Sequence, residues 1–301
     1  MPELPEVETI RRDLATCILR KEICAIKILN PKTVQNEAVF FIKSLVGKKF
    51  VDIGRRGKLL YLKISPSSKL KNKKSSMYLL IHLKMTGQLI YDNLKDKVVG
   101  GHSLSSDSIS QAIGGALPNR HTRLFFKFND KSLLYFNDLR KFGYLKIVNS
   151  EELEKILKNN YGPEPLTKEF TFSVFAGLLE GKKTKIKTLL LDQKSIAGLG
   201  NIYVDESLFA AKISPLRLAG QIKSSEAKKL FQSINQIIKQ AIESCGTTFN
   251  NYVDAKGRKG RFALKLKVYG RKGLPCFYCH KPLVRIKLTG RGTHYCSNCQ
   301  K

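Results

Sequence analysis

Acidic residues are scarce in this chain of 301 residues: 24 Asp and Glu stand against 54 Lys and Arg, a formal net charge of +30. The deficit is uneven, because Ala255 to Lys301 holds thirteen Lys or Arg and no Asp or Glu. A solvated basic face normally carries interspersed acids, so a stretch with none reads as a surface for a polyanion. Nucleic acid is the first candidate, through phosphate neutralisation and counterion release. An anionic membrane is a weaker one, since no strongly amphipathic basic helix with Trp or Phe anchors is present; a lysine-biased composition throughout is the bland alternative. No apolar run reaches the ~18 residues a membrane span needs. The first residues, MPELPEVETIRRD, lack the apolar core of a signal peptide, which predicts a cytosolic protein. What is present is an ordinary globular composition, 42% hydrophobic, too apolar for disorder and long enough for about two domains.

The seven cysteines argue against a disulfide framework. Cys276-x2-Cys279 and Cys296-x2-Cys299, with sixteen residues between the pairs, have the spacing of a tetrahedral four-thiolate zinc site of the closed, structural kind, one ion. A redox role for separate pairs is the weaker reading. Cys17, Cys24 and Cys245 lie in apolar settings and are expected to be small buried residues.

Periodicity predicts a helix over Pro5–Leu19, with Val7, Ile10, Leu14 and Cys17 on one face. Short β-type runs follow at Ile23–Leu29, Phe50–Ile53, Leu59–Ile64, Tyr78–Leu83, Leu124–Phe128, Ser132–Phe136 and Tyr144–Val148, a pattern suited to a sandwich or barrel. Two inserts, Ser65–Ser76 and Asp92–Asn119, lack periodicity and are expected to be loops. The turn-rich NNYGPEPL, within Asn149–Leu166, reads as a linker. Helices are predicted beyond it, at Lys185–Gln193 and Ile202–Lys212 around the glycine turn of IAGLGN. The clearest is Ser225–Ser244, with an apolar stripe of Leu230, Phe231, Ile234, Ile237, Ile238, Ala241 and Ile242. The fold class is α+β. Three domains are expected: a catalytic β-sandwich with an amino-terminal helix at 1–150, a helical domain at 151–260 and a zinc finger at 261–301.

The amino terminus offers chemistry. Pro2 behind the initiator Met favours Met removal, which exposes a secondary amine. An α-amino group titrates at ~7.7–8.0, so part of it is unprotonated near neutral pH. Attack on an aldehyde-level carbon would give an iminium, an electron sink for elimination. Glu3 could shuttle protons, and Glu6, one helical turn on, could hold the terminus. Taken alone, the same acids also read as ordinary first-turn residues that offset the helix dipole.

PELPEVETIRRDL resembles the amino terminus of the formamidopyrimidine-DNA glycosylase family. RRGKLLYL, HLKMTGQL, DLRKFGYL, GPEPL, IAGLGNIYVDESLFAAKISP, GTT, VYGRKG and the cysteine tail resemble that family too, in the family's order, and only the two inserts fall outside. The resemblance implies a β-sandwich domain, a helical domain with a helix–two-turns–helix element, and a zinc finger. It implies excision of 8-oxoguanine and formamidopyrimidines from double-stranded DNA by base flipping, followed by β,δ-elimination. Pro2 would be the nucleophile at C1′, Glu3 the general acid/base, Glu6 the support of the terminus, and Lys58 a group near the damaged base and its phosphate. Met85, Arg140 and Phe142 would fill and wedge the vacated stack, types suited to filling, to pairing with an orphaned base and to kinking. His121, Asn201, Arg258 and Arg291 would bind DNA, Asn201 from a helix amino terminus that it could also simply cap. A monomer is expected, associated with the nucleoid when bound.

Two departures stand out. Lys141 replaces an expected second arginine, keeping charge but losing bidentate geometry. In the loop at 256–262, Arg258, Lys259 and Arg261 differ from the usual residues, which bears on substrate preference more than on chemistry. A related enzyme of the endonuclease VIII type, favouring oxidised pyrimidines, is disfavoured by Leu4 and by Arg140 with Phe142. A non-catalytic zinc-containing DNA-binding protein is disfavoured by Pro2, Glu3, Glu6 and Lys58.

Overall fold

In a computed structural model the described residues are 2–65, 76–93, 97–101, 113–247 and 261–301. They form two compact units, Met1–Leu157 with Ser244–Arg261, and Lys158–Glu243 with Phe262–Lys301. The second insert is described only in part, and the first insert and the loop that holds Arg258 lie almost entirely outside the described residues.

The first unit begins with α1 (Leu4–Ile18), whose Val7, Ile10, Leu14 and Ile18 are buried. Then follow β1 (Ile23–Ile28), α2 (Ala38–Leu45) and eight antiparallel strands. These are β2 (Phe50–Arg56), β3 (Leu59–Ile64), β4 (Met77–His82), β5 (Gly87–Asp92), β6 (Lys97–Gly101), β7 (Thr122–Phe128), β8 (Leu133–Asp138) and β9 (Tyr144–Asn149). They make a five-stranded sheet ordered β1-β7-β8-β5-β6 and a four-stranded sheet ordered β2-β3-β4-β9. One core takes residues from both sheets and from α1, including Phe50, Leu62, Ile81, Leu89, Phe126 and Phe136. Phe50 and Phe126, from opposite sheets, meet edge to face with ring centres 6.1 Å apart, a geometry aromatic pairs favour.

Several expectations need correction. The second insert is not all loop: β6 lies within it and pairs with β5, and Ile113 is buried with Ile90, Val99 and Tyr135. Neither β5 nor β6 shows in the sequence. All six residues of β5 are buried, so the strand between β8 and β6 has no apolar–polar alternation to betray it. Cys24 is exposed rather than buried. It sits in the edge strand β1 where the register with β7 shifts between Ile23 and Ala25, and such a bulge reverses which side chains face the core. Cys17 and Cys245 are half-buried.

In the second unit, α3 (Ser150–Asn160) leads in from the first and ends before the turn at Tyr161–Leu166. Then come α4 (Phe172–Leu179), α5 (Ile186–Leu191), α6 (Asn201–Ala210) and α7 (Ser224–Glu243). Of the predicted stripe of α7, Leu230, Ile234, Ile237, Ile238 and Ala241 are buried, while Phe231 and Ile242 are half-buried. A hairpin of β10 (Val284–Leu288) and β11 (Arg291–Tyr295) lies between the two cysteine pairs. Among the described residues no helix is long and apolar enough to cross a membrane.

Removing the Phe126 ring should leave a cavity between the sheets. Phe126→Ala is expected to lower unfolding stability by about 3–5 kcal/mol, read as a lower denaturant midpoint at unchanged slope. A loss below about 1 kcal/mol would mean that the inter-sheet core is not the main support of this unit.

Candidate functional site

The amino terminus is held by one carboxylate. The N–H of Glu3, the residue that caps α1, donates to Glu6 Oε2 at 2.9 Å, and the N–H of Thr247 donates to Glu6 Oε1 at 2.8 Å. Gly246 has φ +83, and a Cβ there would stand 2.9 Å from Glu6 Oε1. Glycine is therefore required twice at this position, for its backbone conformation and for close approach. Pro2, Glu3 and Glu6 are all buried. Both oxygens of Glu6 accept backbone donors, so its geometry suits a brace, while Glu3 is the carboxylate next to Pro2.

Two residues further along α1, Glu8 accepts from three guanidinium groups: Arg11 (2.9 and 3.0 Å), Arg12 (2.8 Å) and Arg55 (3.1 Å). Burial pushes the Glu8 carboxyl up, but hydrogen bonds from Arg11 and Arg55 outweigh it and hold the group at about 2. Arg55 Nη1 also donates to the Gly57 carbonyl at 3.0 Å. Arg56 pairs with Leu59, so Gly57 and Lys58 form a two-residue hairpin turn between β2 and β3. Gly57 has φ +56 and Lys58 is not left-handed, the pattern of a type II′ turn. Lys58 is only 6% exposed although it sits at a hairpin tip. His82, on β4 opposite Leu59, is pushed down to about 3 by burial and then by the charges of Lys84 and Lys58.

Met85, Arg140 and Phe142 are exposed and adjacent. Arg140 Nη1 donates to Met85 Sδ at 2.9 Å, and the Arg140 guanidinium lies 4.8 Å from the centre of the Phe142 ring. Two residues that sequence reasoning missed, Thr86 and Asp138, join the two loops. The Thr86 hydroxyl donates to Asp138 Oδ1 and accepts from the Arg140 N–H. Asp138 Oδ2 accepts from the Gly143 N–H at 2.7 Å, closing the turn around left-handed Lys141. His121 is 8% exposed and its carbonyl accepts from the Asp138 N–H. Burial, then Arg120 and Arg123, push its imidazole down. A short polar side chain two residues before an exposed Arg was the only available signal for Asp138, and it fits any turn.

In the second unit, Asn201 is the first residue of α6, and its Nδ2 donates to the Gly292 carbonyl at 2.8 Å. Arg291, beside Gly292, is exposed at the start of β11. Lys187, unforeseen from the sequence, is wholly buried against Asp205 at 2.6 Å and also reaches the Gly292 carbonyl at 3.2 Å. Asp205 Oδ2 in turn accepts from the His294 N–H at 2.8 Å. Asn201 and Arg291 are thus brought to one end of the hairpin by buried charge, a placement that costs desolvation unless every partner is satisfied.

The four cysteine sulfurs lie within 4.8 Å of one another. Cys276 and Cys299 are 3.9 Å apart, and Cys279 and Cys296 are 3.5 Å apart, too far for disulfides at ~2.05 Å. Thiolates at ~2.3 Å from a tetrahedral centre stand about 3.8 Å apart, so the set is already spaced to hold a metal ion. The N–H of Tyr278 points at Cys276 Sγ and that of Cys299 at Cys296 Sγ, the outer hydrogen bonds that steady metal ligands. Arg258 lies outside the described residues.

Residues 1–145 match the model of the formamidopyrimidine-DNA glycosylase N-terminal domain, and residues 161–252 match that of the formamidopyrimidine-DNA glycosylase H2TH domain. A formamidopyrimidine-DNA glycosylase of Desulforamulus reducens is 40% identical, the alignment covering 100% of this chain and 99% of the relative. Among solved structures, wild-type Lactococcus lactis Fpg in complex with DNA containing N7-benzyl-Fapy-dG is 34% identical with a TM-score of 0.85, all of each chain being covered. The same protein in complex with DNA containing an oxidised pyrimidine matches at 34% identity and a TM-score of 0.84, again over both whole chains.

The Glu8 cluster predicts a pH signature. A carboxyl lowered on folding from 4.5 to about 2 stabilises the fold fully above pH ~4.5 and loses that contribution as pH falls towards ~2. Glu8→Gln should therefore cost on the order of 1–3 kcal/mol at pH 7, allowing for solvent screening, with the gap to wild type closing between pH ~4.5 and ~2. A gap that stays constant across that window would show that the charge of Glu8 contributes nothing.

Proposed function

Because the chain belongs to the formamidopyrimidine-DNA glycosylase family, we propose that it excises oxidised purines from double-stranded DNA and cuts the resulting abasic strand, using the Pro2 nitrogen as nucleophile. The family is one of bifunctional glycosylases and abasic-site lyases. The observation that carries the reading to this chain is the Glu6 brace: a terminal segment whose first residues are buried and pinned on both carboxylate oxygens is a preorganised group, not a frayed end.

With Met1 removed, the lone pair of Pro2 attacks C1′ of the flipped nucleotide and the damaged base departs, taking a proton. Glu3 assists opening of the sugar ring, leaving an iminium between Pro2 and the former C1′. The iminium acidifies the C2′ proton. Its loss to Glu3 or another base expels the 3′-side phosphate, a second elimination expels the 5′-side phosphate, and water releases Pro2. Lys58 holds the phosphate beside the lesion. Met85, Arg140 and Phe142 enter the vacated stack; the Met85–Arg140 contact and the stacking of Arg140 on Phe142 favour that joint role. Opposite the lesion, Arg140 donates to the carbonyl and ring nitrogen of cytosine. His121, Asn201, Arg258 and Arg291 contact the DNA, Asn201 and Arg291 gripping phosphate.

The division of labour is a catalytic domain at 1–150, a helical domain at 151–260 and a finger at 261–301. The finger's ion is zinc, held by Cys276, Cys279, Cys296 and Cys299; it supplies folding energy and takes no part in the reaction. The protein acts as a monomer in the cytoplasm, at the nucleoid when bound to DNA.

The Lactococcus lactis complex with an oxidised pyrimidine keeps a broader reading open, in which pyrimidine lesions are processed equally well. Duplexes with single defined lesions opposite cytosine separate the two: 8-oxoguanine and formamidopyrimidines should be nicked faster than thymine glycol or dihydrouracil, and the reverse order would overturn the purine assignment. A protein retaining one extra residue before Pro2 carries the proline nitrogen as an amide. It should bind lesion DNA like wild type and neither release base nor cut; wild-type cutting would move the nucleophile elsewhere, with Lys58 the first suspect.

Cys296→Ser should lower bound zinc and DNA affinity together. Wild-type binding by a zinc-free preparation would remove the finger from the DNA grip.

A further inference from the structure

We propose that Glu8 and Arg55 are positioning residues for Lys58, fixing the peptide that carries it relative to the amino-terminal end of α1; the proposal rests on the role given to Lys58 above. Glu8 pairing with Arg11 and Arg12 is unremarkable, since residues three and four apart on a helix face each other. Its bond to Arg55, 47 residues away in sequence, is different in kind. Arg55 uses two edges of its guanidinium: Nε reaches Glu8 on α1, and Nη1 reaches the Gly57 carbonyl. That carbonyl belongs to the same planar peptide as the Lys58 nitrogen. The fork therefore grips the peptide plane from which Lys58 departs, and Glu8 fixes the fork to the helix that begins just after Pro2 and Glu3.

A second tie runs the same way, with Arg11 Nη1 donating to the Ile53 carbonyl in β2 at 3.4 Å. The side chains of Glu8 and Arg55 are nearly buried, 10% and 9% exposed, so water competes little for these bonds. The turn has only two residues and a left-handed glycine at its first position; Arg55, itself in β2, holds its middle peptide, and Glu8 joins that grip to α1, outside the hairpin. Lysine could supply the charge of Arg55 but not the planar fork. Glu8, Arg55 and Gly57 touch neither substrate nor reacting atoms in this account. They act through the distance between two groups that must reach the same nucleotide.

The test is a double-mutant cycle read in single-turnover base excision at saturating enzyme, with Arg55→Lys, Lys58→Gln and the double variant. Glu8→Gln, which leaves every donor of Arg55 in place, is the second probe should Arg55→Lys unfold. Affinity for a duplex carrying a tetrahydrofuran abasic-site analogue and the melting temperature are measured alongside. Arg55→Lys is expected to slow excision at least about tenfold, since a 1 Å misplacement can cost ~10²-fold, while affinity stays within about threefold. In the Lys58→Gln background the same change should add little, because a positioning residue has nothing left to position. A full additional loss on that background, or an Arg55→Lys rate equal to wild type, overturns the positioning role while leaving the reading of Lys58 intact. Wild-type excision by Lys58→Gln overturns the reading of Lys58 itself, and the positioning role with it.

Discussion

The amino-terminal segment is braced by a single side chain that accepts a backbone donor on each of its two oxygens. Glu6 accepts the N–H of Glu3 on one oxygen and that of Thr247 on the other. A chain end is ordinarily the least ordered part of a protein, because few bonds oppose its conformational entropy. Here the end is a helix cap, its first residues are buried, and a glycine at φ +83 lets the segment from residue 246 approach without a clash. Loss of Glu6 would take from two buried N–H groups the carboxylate they donate to, and a buried donor that loses its partner costs about 1–3 kcal/mol.

The same economy runs through the molecule. Acids are scarce, yet Glu3, Glu6, Glu8, Asp92, Asp138, Glu164, Asp205 and Glu206 are buried, whereas acids in most proteins lie at the surface. Four of them organise a turn, helix end or hairpin: Glu6 the terminus, Glu8 the turn of Lys58, Asp138 the turn of Arg140, and Asp205 the hairpin of Arg291. Glu206 accepts the N–H groups of Lys267, Val268 and Tyr269. Acids used inside as anchors are unavailable outside as counter-charges, which helps leave the exposed face basic.

Much of this was legible in the sequence. The helix at the start, seven of the strands and the long α7 followed from periodicity, and the family followed from motifs in order. The strand β5 was not legible because burial on both faces erases alternation, and β6 was hidden in an insert that reads as loop. Cys24 misled because a bulge overrides the pattern of an apolar run. Among site residues, Lys58, Met85, Arg140 and Phe142 carry no signal of their own. A lysine at a hairpin tip or an exposed aromatic is ordinary, and only the resemblance singled them out. Asp138, Asp205 and Lys187 escaped both routes, because a buried charge declares itself only when its partners, distant in sequence, are known.

On the mechanism proposed above, the Pro2 nitrogen forms the covalent link to DNA. The most direct measurement is borohydride reduction during turnover on 8-oxoguanine duplex, followed by proteolysis and mass determination of the DNA-linked peptide. The expected product is a peptide that begins at Pro2, lacks Met1 and carries the sugar on its amino-terminal nitrogen. A linkage mapped to Lys58 or any other lysine, or to a peptide with a free Pro2 amine, would contradict it.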